Sequence, residues 1–227
     1  MRIGLITGEY PPDQGGVGDF TDRLAHALAD SGHHVHIITS ATPSPAAQNA
    51  PLWRRAHPEA PTGHRVLAGW RLGCWRQLSH LSRELHLDIL NIQYQAAAYD
   101  MRAGINVVPH RAPAATTVTF HDLKVPYLFP KAGPLREWVV RELARRSDGV
   151  IVTNREDELA LQETSGDVKA LRRIPIGSNI STAPPQGYDR DKERARWGVQ
   201  PDDLLLGYFG FLNESKGGET LIRTLHR

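Results

Sequence analysis

The chain has 227 residues, enough for one large domain or for one domain and part of another. Its 27 lysines and arginines nearly cancel 25 aspartates and glutamates, leaving a net charge of +2, and hydrophobic residues make up 40%. With no basic run interleaved with aromatics, no RNA-binding signature and no zinc-finger spacing, nucleic acid is excluded as the expected partner. The single cysteine, Cys74, rules out an intramolecular disulfide and fits a reducing compartment. No apolar run approaches the ~18 residues of a spanning helix, and the opening lacks the pattern of a signal peptide. The expectation is a soluble, cytoplasmic protein.

Residues 2–7 form a short apolar run of the kind that makes a buried parallel strand. Residues 8–18 then pack four glycines and two prolines into one loop. Phe20, Leu24, Ala27 and Leu28 recur at helical spacing and predict a helix over 18–30, stopped by Ser31-Gly32. Strand, glycine-rich loop and helix in that order predict the front edge of a doubly wound α/β sheet, with ligands at its carboxyl end. Pro11-Pro12 stiffens the loop. Gly15 and Gly16 at the helix entrance are expected to leave backbone N–H groups open to a phosphate.

Residues 35–39 (VHIIT) read as a second strand. His34 and His36 alternate along it with no Cys, Asp or Glu beside them, so they read as a solvated strand edge rather than metal ligands. A long Pro- and Ala-rich loop over 41–63 precedes a short strand at 66–70. Trp75, Leu78, Leu81 and Leu85 mark an amphipathic helix ending near His86. Residues 88–93 (DILNIQ) form the next buried strand, with Tyr94 and Gln95 at its carboxyl end as candidate cleft residues.

Residues 116–120 give another strand, tipped by His121 and Asp122. A histidine there could bond a sugar hydroxyl, orient a phosphate or act as a base, or it could simply cap the loop. After a loop over 124–134, a helix at 134–146 sets Leu135, Trp138, Val139 and Leu143 against Arg136, Arg141, Arg145 and Arg146. Such a helix either faces the core with a solvated basic side or rests on the inner face of an anionic membrane. A strand at 149–153, a short helix at 155–163 following Asn154, and a last strand at 173–176 complete the pattern. Residues 181–187 (STAPPQG) read as a linker. A helix at 189–197, an apolar strand at 204–211 and a helix at 218–226 open a second α/β unit, inside which the sequence is expected to stop.

The order and spacing of EYPPDQGGVG, TFHDL, SDGVIVTN, IPIGSN and YFGFLNESKGGETLI resemble the N-terminal half of a GT-B glycosyltransferase of the retaining family 4 group. The resemblance covers nearly the whole chain. It implies two Rossmann-like domains around a nucleotide sugar: residues 1–180 as the acceptor-side domain, 181–188 as linker and 189–227 as the start of the nucleotide-sugar-binding domain. Sugar would pass to a hydroxyl of a saccharide, lipid or small molecule. Gly15 and Gly16 would approach the donor diphosphate, His121 the transferred sugar near its reacting carbon, and Lys216 of the KG motif the leaving diphosphate. Glu9, Tyr94, Gln95, Asp122 and Asn154 are candidate cleft or acceptor contacts.

The resemblance implies no cofactor and no metal. Asp189-Arg190-Asp191 fits the D-x-D pattern of metal-dependent transferases but reads as a helix amino terminus. Relatives carry Gly-Arg-Leu where this chain has Gly210-Phe211-Leu212, and their paired glutamates (E-x7-E) fall after position 227. The chain alone is therefore expected not to turn over. One alternative is a non-catalytic acceptor-binding module. Another is an NAD-binding oxidoreductase, but Gly16-Val17-Gly18 comes late for that fingerprint, its third position is Thr21, and Thr39-Ser40 stand where an acid is needed.

Overall fold

The computed structural model describes residues 1–13, 15–41, 61–123, 133–164, 166, 168–178, 183–208 and 217–225, with the backbone alone at 133–137 and 164. It divides into two units, Met1–Ile176 and Gly177–Arg227.

The first unit is built on seven strands: β1 (Arg2–Thr7), β2 (His34–Ser40), β3 (Thr62–Leu67), β4 (Ile89–Tyr94), β5 (Ala115–Phe120), β6 (Gly149–Val152) and β7 (Leu171–Arg173). They stand in the order β3-β2-β1-β4-β5-β6-β7, and every pairing is parallel. This is the Rossmann-like α/β fold that strand–loop–helix alternation predicts. On one face Ile3, Leu5, Val35 and Ile37 pack on Ala25 of helix α1 (Gly16–Asp30). On the other, Ile6, Ile38, Leu90, Ile92, Val118, Phe120, Val150 and Val152 make one core. That core is closed by Leu78 of α2 (Cys74–Glu84), Leu143 and Ala144 of α3 (Gly133–Arg146) and Leu161 of α4 (Arg155–Thr164). Central strands are covered on both faces, which is why they read as apolar runs rather than alternations.

Several boundaries differ from expectation. The third strand is Thr62–Leu67 rather than 66–70, because it pairs along β2 from His36 onward. β2 therefore lies inside the sheet, and His36 is no solvated edge residue. Its Nδ1 lies 3.0 Å from His64 Nε2 on β3, and burial, reinforced by His64, pulls its pKa down to about 4. His34 is exposed, as expected. The last strand ends at Arg173, where its partner β6 runs out at Val152; one further bond, from Ile174 N–H to Val152 O at 2.9 Å, closes the ladder.

Helix α3 faces the core through Leu143 and Ala144, while Arg145 and Arg146 lie exposed beside Glu142, which pairs with both. Among the described residues no helix is long and apolar enough to cross a membrane.

The second unit contains α5 (Arg190–Arg196) and α6 (Gly218–Leu225). Asp189 caps α5, its Oδ1 accepting from Asp191 N–H at 3.0 Å and Lys192 N–H at 3.2 Å. The expected strand at 204–211 is not formed over 204–208, where Leu204 is 86% exposed. A strand needs a neighbouring strand to bond to, and no ladder among the described residues includes 204–208. Residues 209–211 lie outside the described residues, as do Lys216, most of the 41–63 loop and most of the 124–134 loop.

Candidate active site

From β1 the chain winds one way to β2 and β3; from β4 it winds the other way to β7. The chain therefore reverses its winding direction between adjacent β1 and β4, and doubly wound sheets bind ligands at the carboxyl ends of such a pair. The two exits approach closely. A Cβ on Gly8 would lie 2.0 Å from Ala98 O, so only glycine fits there. The fully buried Tyr99 hydroxyl joins the same strands, 3.0 Å from Ile6 O and 2.9 Å from Gln93 O.

The first loop is held from three sides. Thr7 Oγ1 donates to Glu9 O at 2.7 Å, and the Tyr10 hydroxyl donates to Asp22 Oδ1 at 2.6 Å. Burial, with help from Asp22, raises the Tyr10 pKa and keeps the phenol a donor. Arg65 on β3 reaches across, its Nη2 donating to Tyr10 O at 2.6 Å and Pro11 O at 2.7 Å. The amino end of α1 is not left open as expected. Glu9 Oε1 accepts from Val17 N–H at 2.9 Å and Gly18 N–H at 3.2 Å, so a carboxylate of the chain itself answers the helix dipole. Gly15 makes room for it: a Cβ there would lie 2.1 Å from Glu9 Oε1. Gly16 faces open space.

His121 stands at the tip of β5. Its backbone N–H donates to Tyr94 O at 3.1 Å, and the edge-on ring of Phe20 from α1 lies 4.9 Å away between centroids. Its Nε2 is 2.8 Å from Gln93 Oε1. Burial lowers its pKa to about 4, so the imidazole is neutral near pH 7. A neutral imidazole cannot balance a diphosphate, but it suits a hydrogen bond to a hydroxyl. Gln95 and Asp122 follow β4 and β5 at the same end, both half-buried.

Two expected cleft residues serve the scaffold instead. Tyr94 is buried, edge-on to Phe120 at 5.4 Å and stacked on Tyr99 at 6.0 Å, because its place on β4 turns it into the core. Asn154 caps α4, its Oδ1 accepting from Asp157 N–H and its Nδ2 donating to Asp157 Oδ2, both at 2.8 Å. Sequence reasoning passed over Asn91, Gln93, Phe20 and Arg65. The available signal was the pair of polar residues at alternate positions of DILNIQ, inside a strand covered on both faces.

At the opposite end of the sheet a depression of about 490 Å³ is lined by Pro109, His110, Arg145, Arg146 and Lys169. Its charges are matched by Glu142 and Asp148, as in the Lys169–Asp148 pair at 2.9 Å. Among the described residues no three His, Cys, Asp or Glu side chains converge as a metal site.

A doubly wound sheet with a neutral histidine and a capped helix end at its switch point defines a class of α/β ligand-binding domain, and comparison with known proteins makes it specific. Residues 14–181 match the model of Glycosyltransferase Family 4, and the chain belongs to that family. The sucrose-phosphate synthase of Thermosynechococcus elongatus superposes with a TM-score of 0.72 at 21% identity, over 99% of this chain and 59% of that one. A glycosyltransferase from Rickettsia africae superposes with a TM-score of 0.55 at 14% identity, over 88% of this chain and 50% of that one. The chain thus spans little more than half the length of these two structures. No protein of curated function matches it by sequence.

Proposed function

We propose that this chain provides the acceptor-side half of a retaining glycosyltransferase that moves a sugar from a nucleotide donor to a hydroxyl of a saccharide, lipid or small molecule. The observation carrying this reading is the neutral, partly buried His121 at the switch point, 2.8 Å from Gln93 and packed on α1. An uncharged imidazole beside the crevice suits the hydroxyls of a sugar near its reacting carbon. Gly16, where an added Cβ would meet open space, would approach the donor diphosphate, and Lys216 would neutralise the rest of its charge. The reading assigns no step to a metal, and it places the reaction in the cytoplasm. Exposed Trp138 and Arg145 on α3 give it a peripheral contact with an anionic membrane, measurable as binding to vesicles containing anionic lipid.

In the full-length transferase that this reading implies, His121→Ala is expected to lower turnover by ~10²-fold or more, the scale of one lost transition-state contact, with the fold intact. Unchanged kinetics would remove His121 from the site. One observation favours a non-catalytic sugar-binding module: Glu9 already fills two amides at the anion seat of α1. A sugar that binds equally well with and without nucleoside diphosphate would support that second reading.

A further inference from the structure

Asn91 and Gln93 on β4 share one face of the sheet with Thr117 and Thr119 on β5, because Asn91 pairs with Thr117 and Gln93 with Thr119 in register. His121 follows two residues beyond Thr119, so the alternation of side chains carries the same face up to the crevice. These groups form a continuous chain of hydrogen bonds. Asn91 Nδ2 donates to Thr117 Oγ1 at 2.8 Å and to Thr119 Oγ1 at 3.2 Å. Gln93 Nε2 donates to Asn91 Oδ1, which turns Gln93 Oε1 towards His121 Nε2 at 2.8 Å. Gln93 is fully buried, Asn91 and Thr119 nearly so, and these bonds leave none of their buried polar side-chain atoms without a partner.

The direction of the chain is set by satisfaction of buried donors. With the amides as described, both hydrogens of Asn91 meet threonine oxygens at 2.8 and 3.2 Å. Reversed, Asn91 would spend one hydrogen on Gln93 and send the other to Thr119 Oγ1 at 3.4 Å. Leaving a buried N–H badly bonded is the costlier arrangement.

We infer that Gln93, oriented by Asn91 and the two threonines, is a positioning residue that holds His121 as its Nε2–H tautomer. An amide oxygen can only accept, so the ring nitrogen facing it must bear the hydrogen. Nδ1 is then the ring's lone-pair nitrogen, with no partner among the described residues. It is the atom offered to a hydroxyl, and it accepts that hydroxyl's hydrogen bond without itself being protonated. The buried surroundings that lower the pKa of His121 keep the second proton off. The role assigned to Nδ1 rests on the transferase reading; the tautomer does not.

The test is a long-range nitrogen–proton NMR spectrum of the 15N-labelled chain at neutral pH, assigned with His121→Gln. The expected result is a single Nε2–H tautomer for His121 that is lost, by averaging or reversal, in the near-isosteric Gln93→Met. An Nδ1–H tautomer in the wild-type chain would overturn the inference whether or not the variant folds. So would a folded Gln93→Met chain with an unaltered His121 signal. If the tautomer is held as stated but His121→Ala in the full-length transferase transfers sugar at the wild-type rate, the positioning role stands and the transferase reading falls.

Discussion

At the carboxyl end of the sheet, the polar groups around His121 are uncharged, buried and bonded to one another through Gln93, Asn91 and two threonines. At the amino end, the groups around His110 are charged, largely exposed and matched in opposite pairs through Glu142 and Asp148. The contrast follows from desolvation. A buried group loses its water and must find fixed partners, so its geometry becomes specific. An exposed pair keeps its water, is screened by salt and fixes little. A well-formed basic depression can therefore still be the poorer candidate for chemistry.

Acid separates the two ends and should give the largest effect. His121 and His36, with folded pKa values of about 4 against an ordinary 6.5, bind protons more readily when the chain unfolds. Their contribution to stability is fully present above about pH 6.5 and is lost as pH falls towards 4. Glu142 and Asp148, held below their ordinary values by Arg146 and by Lys169, lose theirs only at lower pH. Denaturant melts across pH 7 to 4 should show a fall in midpoint that is smaller in His121→Gln. An identical slope in both would mean that His121 is not buried neutral.

Next in size is Gly15→Ala. Its Cβ would displace the Glu9 carboxylate and uncap α1, at a cost of ~1 kcal/mol. A variant as stable as wild type by equilibrium unfolding would show that Glu9 is not the cap. The smallest effect is expected from Lys169→Ala, which breaks a pair whose lysine is 59% exposed and should change stability by less than ~0.5 kcal/mol. A larger loss would erase the distinction between the two ends.

The sheet was legible in the sequence because its central strands are short, largely apolar runs, as at residues 2–7 and 88–93. What escaped was whatever depends on a neighbour in space. The ends of β3 and β7 are set by where β2 and β6 offer bonds, and 204–208 joins no ladder among the described residues. At the candidate site, position after β5 singled out His121, and glycine content singled out the first loop. Neither could say that Glu9 would turn back onto α1, since the six intervening residues carry no capping pattern. Tyr94 looks exposed at a strand end in a linear reading yet fills the core, because the last side chain of β4 points inward, whereas Asn154 is exposed and caps α4.

The central proposal is that the carboxyl ends of β1, β4 and β5 approach the sugar and diphosphate of a nucleotide-sugar donor. Its most direct test is to titrate the 15N-labelled chain with nucleotide sugars at high concentration and map the amide signals that move. The account predicts shifts concentrated at Gly15, Gly16, Gln95 and His121. Shifts concentrated instead at His110, Arg145, Arg146 and Lys169 would contradict it and move the functional end of the sheet to the basic depression.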